Sequence, residues 1–589
     1  MNRAGVYAER ALFTVTALIA LCFLVWTLLI WYRYHPHLPW RDTVLLLSAV
    51  APVVDTGLSL EGLLGWLEPH YGAHRIFLPR ALVALDVAFF SGQNHLPMAA
   101  AWASLLLMAG VFWRFARRRF SGNQRIAILA LSLAVLYLFS PSHVWNLANP
   151  VNTSWHLTVA FSILAFAVLL DKKDQPGGRQ WLWAFLFAGL AALTTFGGVI
   201  AWLLLACIAL LLRSPFTLPV LLSSTILVVL YCQNLVSDAS VGAIWTLGTP
   251  EVVAKIQHEA HTALAANTPW MIVLKASRFL TWPLTASHTW LAGILSAASL
   301  GLLMLTWFRV IRRGLSGGER YSRWLELCLL AATLCAGIAV ATQLGRILSH
   351  PNHIHGPSQE RYQTVVVLYW FSVSGLILAA SAPWPTWKRL PVHFACVLLA
   401  LVLSAPLGDY LKEEIGSLEY AAALYLKGER AQLRDPVAGK LINFFPERVF
   451  SFDAFLTRRK LAYRVPVAAP DAGPASEHCA PGRFHWRLEK TERPSVQSMT
   501  LSLQGSEAWI AREITLFHRR HLVGRLYPQH RGDYTPLALL AKQHNQWRGL
   551  LEPPAAGSGP LRVDVKTLFG PRPVCLISED ELIMMAAAP

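Results

Sequence analysis

Leu12-Phe-Thr-Val-Thr-Ala-Leu-Ile-Ala-Leu-Cys-Phe-Leu-Val-Trp-Thr-Leu-Leu-Ile-Trp31 contains no charged residue. At a helical rise of about 1.5 Å per residue, such a run reaches across the roughly 30 Å hydrocarbon core of a bilayer. It is too long for the apolar core of a signal peptide and no Ala-x-Ala cleavage site follows, so it reads as an uncleaved first membrane helix. Further apolar runs lie near 97–113, 124–140, 155–170, 181–195, 199–212, 215–232, 287–308, 325–344, 363–381 and 393–408. They predict an all-α polytopic membrane protein of about eleven transmembrane helices. The break at Thr194–Gly198 leaves open whether two of the runs form one interrupted element.

Composition agrees. Of 589 residues, 54% are hydrophobic and 14% charged, where a soluble domain carries about 25% charged residues. The 23 Trp and 15 Tyr suit membrane interfaces. A soluble enzyme, a coiled coil and a disordered chain are excluded. A net charge of +17 would raise nucleic acid as a partner in a soluble protein. Here the basic residues sit in short turns between apolar runs, and there is no zinc finger, basic-aromatic repeat or Walker loop. Positive-inside topology and membrane lipid phosphates account for the excess, and no nucleic-acid partner is expected.

The same charges orient the chain. Arg114, Arg117, Arg118, Arg119 and Arg125 separate the second and third runs, and Lys172, Lys173 and Arg179 the fourth and fifth. Arg213 ends the sixth; Arg309, Arg312, Arg313, Arg320 and Arg323 follow the eighth; Lys388 and Arg389 follow the tenth. All fall on one side of an eleven-span chain, which is the cytoplasmic side. The N-terminus is then cytoplasmic and the C-terminus periplasmic. The outer segments are 33–96, 141–154, 233–286 and 345–362. Within the first, Ile76–Ser91 is half a span long and carries Arg80 and Asp86, which reads as a helix lying in the interface.

After the membrane domain of residues 1–408 the pattern changes. Residues 409–465 alternate apolar and charged at helical spacing, a second periplasmic segment. Residues 466–589 open with a Pro/Ala-rich linker and continue as alternating stretches at Phe484–Leu488, Ser495–Leu503, Ala508–Ile514 and Leu561–Val565. They predict a small β-rich periplasmic domain. Six cysteines lie in or beside apolar runs. The other two, Cys479 and Cys575, bracket the β-rich domain and suggest a disulfide in an oxidising compartment.

Ionisable groups concentrate on the outer face. The first loop carries Asp42, Asp55, Glu61, Glu68, His70, His74, Arg75 and Arg80; the loop before the tenth run carries Arg346, His350, His353, His355, Glu360, Arg361 and Tyr362. The span interiors hold almost no acid, which argues against a proton-coupled transporter. His70 and His74 share a helical face with Arg75 beside them. They suit contact with a substrate phosphate, half of a metal site completed by His350, His353 or His355, or plain interfacial polarity. Arg346 and Arg361 suit either lipid headgroups or the phosphate of a substrate, by bidentate contact. Asp42 alone reads as a solvent-facing acid in a loop.

These features, in this order, resemble the GT-C class of membrane glycosyltransferases, which use polyprenyl-phosphate sugars. The stretch Glu68-Pro-His-Tyr-Gly-Ala-His-Arg-Ile-Phe-Leu-Pro-Arg80 is similar to the H-N-x-H-R-I-x-x-P-R element of a bacterial branch that modifies envelope glycans. Gly345-Arg346 followed by Ser358-Gln-Glu-Arg-Tyr362 is similar to that branch's later G-R…S-R-Y element. Tyr71 stands where Asn is usual, one extra residue separates His70 from His74, and Gln359-Glu360 separates Ser358 from Arg361. The resemblance implies transfer of a sugar, arabinofuranose or a hexose, from a polyprenyl phosphate to an envelope glycan, lipid or pilin-like protein. It places the catalytic acid on Asp42, with Asp55 and Glu61 as rivals in the same loop. It places substrate contacts on Glu68, His70, His74, Arg75, Arg80, Arg346, Arg361 and Tyr362. The phosphate is already a good leaving group, so one carboxylate base with cationic partners suffices, no cofactor is required and a divalent metal is optional. A flippase or exporter of lipid-linked sugars, or a noncatalytic envelope-assembly subunit, are the alternatives.

The orientation has a direct check. A reporter active only in the periplasm, fused after Pro589, is expected to be active; activity only from a cytoplasmic reporter would refute the parity of the spans.

Overall fold

The computed structural model describes residues 3–34, 42–57, 59–67, 76–143, 146–147, 149–171, 176–232, 269–281, 289–315, 322–349, 362–404, 484–490, 497–503, 511–518, 521–528, 546–551, 559–567, 570–578 and 580. Contacts divide the chain into two units, each described by itself. The first comprises Met1–Thr27, Thr56–Ala81 and Pro97–Pro406; the second comprises Leu28–Asp55, Leu82–Leu96 and Leu407–Pro589.

The described helices are α1 (Arg3–Tyr34), α2 (Asp42–Thr56), α3 (Leu60–Gly65), α4 (Phe77–Phe90), α5 (His95–Arg119), α6 (Gln124–Leu138), α7 (Thr153–Leu170), α8 (Gly178–Ala192), α9 (Gly197–Leu211), α10 (Thr217–Cys232), α11 (Pro269–Leu280), α12 (Thr289–Leu315), α13 (Arg323–Ser349), α14 (Gln363–Ser381) and α15 (Thr386–Ser404). Each of the eleven apolar runs forms a helix, but only seven are long and apolar enough to cross a membrane: Tyr7–Leu29, His95–Arg119, Pro150–Leu170, Trp290–Arg313, Arg323–Leu344, Gln363–Ser381 and Thr386–Leu403. Length divides the eleven into seven of membrane length and four shorter ones. The helices α6, α8 and α9 have 15 residues and α10 has 16. At about 1.5 Å per residue they fall short of a roughly 30 Å core. The protein is therefore a polytopic helical membrane bundle with seven membrane-length helices among the described residues.

Two helices sit at the centre of the first unit. In α7 and α14, 83% and 89% of the membrane-length window is buried, against 22% in α12. The outer helices turn large apolar side chains outward, among them Leu18, Met304, Phe308 and Phe394. Such a surface suits lipid and not water. Around α14, Phe112 meets Phe371 edge to face at 4.6 Å, and the Trp324 indole donates to the Gly375 carbonyl at 2.9 Å.

One end of this unit is held by ion pairs. Asp171, just past α7, accepts from Arg114 at 2.9 Å and from Arg118, both on α5, while Arg323 at the start of α13 donates to the Asp171 carbonyl. Burial raises the Asp171 carboxyl, and the two guanidinium groups outweigh it and hold the acid below its ordinary range. Glu9 on α1 receives two hydrogen bonds from Arg389 on α15, at 2.8 and 3.0 Å.

The first outer loop is more helical than its sequence suggests. Besides α4, which covers the expected interfacial stretch, it contains α2 and the short α3. Asp42 is therefore the first residue of a helix and not a loop acid. Asp86 of α4 is buried and accepts from the backbone N–H groups of Asn94 and Leu96, each at 2.7 Å. It thereby fixes a turn in which Ser91, Gly92 and Asn94 are left-handed. Burial raises its carboxyl, against those N–H donors.

In the second unit, seven antiparallel strands form one sheet: β1 (Phe484–Lys490), β2 (Gln497–Leu503), β3 (Ala511–His518), β4 (His521–Pro528), β5 (Gln546–Leu551), β6 (Leu561–Thr567) and β7 (Gly570–Ile577). Their order is β1-β2-β5-β4-β3-β6-β7. The consecutive β3-β4-β5 meander with β6 returned beside β3 is a Greek key. Alternate residues supply one apolar core, with Leu501 opposite Trp547, Ile514 opposite both Leu526 and Val565, and Val563 opposite Cys575.

One expectation is corrected here. The sequence suggests a Cys479–Cys575 disulfide, but no two described cysteines stand at disulfide distance. Cys479 lies outside the described residues. Cys575 is not among the free thiols and packs in the apolar core of the sheet, 2% exposed.

The helix break at Leu193–Phe196 makes α8 and α9 two helices joined by a tight corner. A Cβ at Gly198 would overlap the backbone of Ala191 and Ala192, whereas one at Gly189 meets nothing within 4 Å. Gly198→Ala is expected to cost about 1–3 kcal/mol or more through overpacking against backbone. Gly189→Ala should be neutral or stabilising by up to about 1 kcal/mol. Thermal unfolding of the two variants in detergent compares them.

Candidate functional site

The expected site residues divide between the two units. Asp42 and Asp55 lie on α2 in the second unit; Glu61, Arg80, Arg346 and Tyr362 lie in the first. Glu68, His70, His74, Arg75 and Arg361 fall outside the described residues. Asp55 is exposed in the last turn of α2, and Glu61 is exposed in the first turn of α3. Arg80 is buried, 5% exposed, and its Nη1 donates to the Trp66 carbonyl at 2.6 Å. That carbonyl ends α3, so the guanidinium sits where a helix C-terminus favours positive charge.

Three of the first-unit positions can be placed along the bundle. Tyr362 precedes α14 and packs its ring against Trp155 at 4.9 Å and Phe279 at 5.1 Å. Arg346 lies in the last turn of α13, whose first residue is Arg323 at the Asp171 end. The start of α4 is tied to the corner after α8, where Leu78 N–H donates to the Leu193 carbonyl at 3.0 Å. Arg80, Arg346 and Tyr362 thus belong to the end of the bundle opposite Asp171.

That end also contains a cage of buried neutral polar groups that a search for charges passes over. Asn152 Nδ2 donates to Asn146 Oδ1 at 2.9 Å, and Asn146 Nδ2 donates to Thr364 Oγ1 at 3.4 Å. Thr364 Oγ1 meets His156 Nε2 at 3.3 Å, and His156 Nδ1 meets the Asn152 carbonyl at 3.1 Å. With the Nδ1–H tautomer of His156, every link in this closed ring has one donor and one acceptor. Gln363 Nε2 donates to Ser142 Oγ at 3.1 Å alongside.

His143 faces the ring. Its imidazole is fully buried and lies 5.6 Å from that of His156, edge to face. Neither of its nitrogens reaches a partner at hydrogen-bonding geometry. Burial pushes its pKa down to about 4, against the carbonyls of Gln363 and Leu138, which favour the charged ring. The one readable signal was the polar run Ser140-Pro-Ser-His-Val-Trp-Asn-Leu-Ala-Asn-Pro-Val-Asn-Thr-Ser-Trp-His156 running into an apolar span. His156 lies within a membrane-length helix, where an ionisable residue is a functional candidate by default. Among the described residues, no group of three His, Cys, Asp or Glu could hold a metal ion.

No family model, curated protein or solved structure matches the chain.

His143 gives the site a pH signature. Its folded value is depressed from 6.5 to about 4, so in that window the unfolded chain takes up a proton that the folded chain refuses. The stability owed to the neutral ring is full above pH 6.5 and is lost as pH falls towards about 4. The melting temperature of the wild-type protein should therefore fall more steeply over this range than that of His143→Asn, as followed by thermal unfolding in detergent.

Proposed function

We propose that the protein is a GT-C-type glycosyltransferase of the bacterial inner membrane. It moves arabinofuranose or a hexose from a polyprenyl phosphate to an envelope glycan, lipid or pilin-like acceptor at the periplasmic face. One observation carries this reading. Arg80 closes the first resembled element, and Arg346 and Tyr362 belong to the second; all three lie at one end of the helical bundle, opposite the arginine cluster around Asp171. Positive-inside bias makes the Asp171 end cytoplasmic, which leaves the resembled elements outside.

In this scheme Arg346 and Arg361 hold the donor phosphate by bidentate contact and take up the charge that grows on it as the glycosidic bond breaks. A first-loop carboxylate removes the proton of the acceptor hydroxyl as that oxygen attacks the anomeric carbon. Asp42 is assigned this role, because it follows the first span most closely and opens α2. Asp55 and Glu61 orient the acceptor.

Sugar transfer from a polyprenyl-phosphate donor by the purified protein tests the assignment. Asp42→Asn is nearly isosteric and should leave donor binding intact while lowering the transfer rate by about 10²–10⁴. A near-wild-type rate would remove Asp42 as the base. Absence of any transfer by the wild-type protein, with transport of the donor across vesicles instead, would replace the transferase by a flippase.

A further inference from the structure

The cage at the His156 end is unusual in its chemistry more than in its polarity. Its groups are two amides, two imidazoles and a hydroxyl, and each of His143, Asn146, Asn152, His156 and Thr364 is at most 3% exposed. Among the described residues, its hydrogen bonds involve no carboxylate, guanidinium or ammonium. An ionic ligand would be desolvated there without a counter-charge, which the interior of a membrane protein tolerates poorly. A neutral ligand that both donates and accepts meets no such penalty.

The ring formed by Asn152, Asn146, Thr364 and His156 already satisfies its own links, and that fixes where its groups point. His143 stands outside this closed set. It is buried, with the Leu138 and Gln363 carbonyls near its ring, and neither nitrogen makes a hydrogen bond of good geometry to them. A neutral imidazole offers one donor and one acceptor on opposite sides of a ring, which matches a hydroxyl on either side. Next in sequence to His156 and Gln363, Trp155 and Tyr362 pack edge to face on each other. Amides, a neutral imidazole and aromatic rings together suit the hydroxyls and C–H faces of a sugar ring.

We propose that His143, with the Asn146–His156 ring behind it, binds the neutral sugar ring of the donor. This deepens the transferase reading and rests on it for the identity of the ligand. The donor's phosphate is then held elsewhere, by cationic side chains, and His143 is a binding residue and not the base.

The test uses the full-length protein in lipid nanodiscs with isotope-labelled histidine. His143→Gln and His156→Gln assign the two imidazole signals. Three probes are titrated: neryl phosphoryl arabinofuranose, neryl phosphoryl glucose and neryl phosphate. The expected result is a saturable shift of the His143 signal with at least one sugar-bearing probe and none with neryl phosphate. His143→Gln should weaken binding of that probe about tenfold or more, with neryl phosphate binding unchanged. An unmoved His143 signal at saturation, or an equal shift with neryl phosphate, would overturn the inference. So would a His143→Gln protein that loses stability and keeps wild-type affinity for the sugar probes, since the cage would then be structural only. Sugar binding at His143 without transfer to any acceptor would sink the transferase and leave the sugar site standing. Transfer with a silent His143 would do the reverse.

Discussion

A helix with no access to water must find every polar partner inside the protein, and α7 is the helix on which this constraint falls hardest. It is buried along almost its whole length, yet it carries Thr153, His156, Thr158 and Ser162 and runs into Asp171. Each is answered by a neighbour or by its own backbone. Thr153 donates to the Pro97 carbonyl at 3.0 Å, His156 is closed into the asparagine–threonine ring, and Ser162 bonds back to Thr158 at 2.7 Å. Thr158 meets Thr194 and Thr195 at the α8–α9 corner. The helices α5, α8, α9, α13 and α14 are placed by what α7 needs from them. The corner at Gly198 follows from this demand, because α9 must approach α8 closely enough for Thr194 and Thr195 to reach α7.

The two ends of α7 solve the same problem differently. At the Asp171 end the partners are charged and partly exposed, with Arg114 and Arg118 side chains at 57% and 50% and Asp171 at 38%. Water screens such pairs, so they add little to stability. They set which helix termini gather at that end. At the His156 end the partners are neutral and dry. A charge there would have to be compensated in full, whereas an amide or hydroxyl needs only a directed hydrogen bond.

This asymmetry explains what the sequence disclosed and what it did not. Arginine clusters are visible in one dimension because charge in a mostly apolar chain stands out, and Arg114, Arg118 and Arg323 do meet around one acid. Helix existence was likewise legible at all eleven apolar runs. Their lengths were not, because α6, α8, α9 and α10 are bounded by turns such as Leu193–Phe196 that leave them short. In the sheet, the alternation at β1, β2, β3 and β6 could be read, whereas β7 contains Pro571 and Pro573. Those residues cannot donate to a ladder and suit a strand that, among the described residues, pairs on one side, as β7 does with β6. The neutral cage was missed for a different reason. Asn146 and Thr364 are 218 residues apart, and neither carries a charge to draw attention.

In the transferase proposed above, the cage bears on how a single bundle end handles both halves of a lipid-linked sugar. Phosphate and sugar make opposite demands. Phosphate needs mobile or fixed positive charge and tolerates water at the headgroup level, whereas a sugar ring is recognised by directed neutral hydrogen bonds that water would otherwise take. Grouping arginines with the neutral ring would spoil both. Burial would raise the cost of the cations, and the cations would draw water into the cage. In the first unit the described candidates are separated by element. Arg346 lies at the end of α13, whereas the neutral groups come from the start of α7, the turns before it and the start of α14. His143 ends one of those turns, the 3-10 turn Pro141–His143, where its N–H donates to the Ser140 carbonyl at 2.9 Å. The backbone hydrogen bond fixes the turn, and the imidazole is directed inward from it, fully buried beside His156.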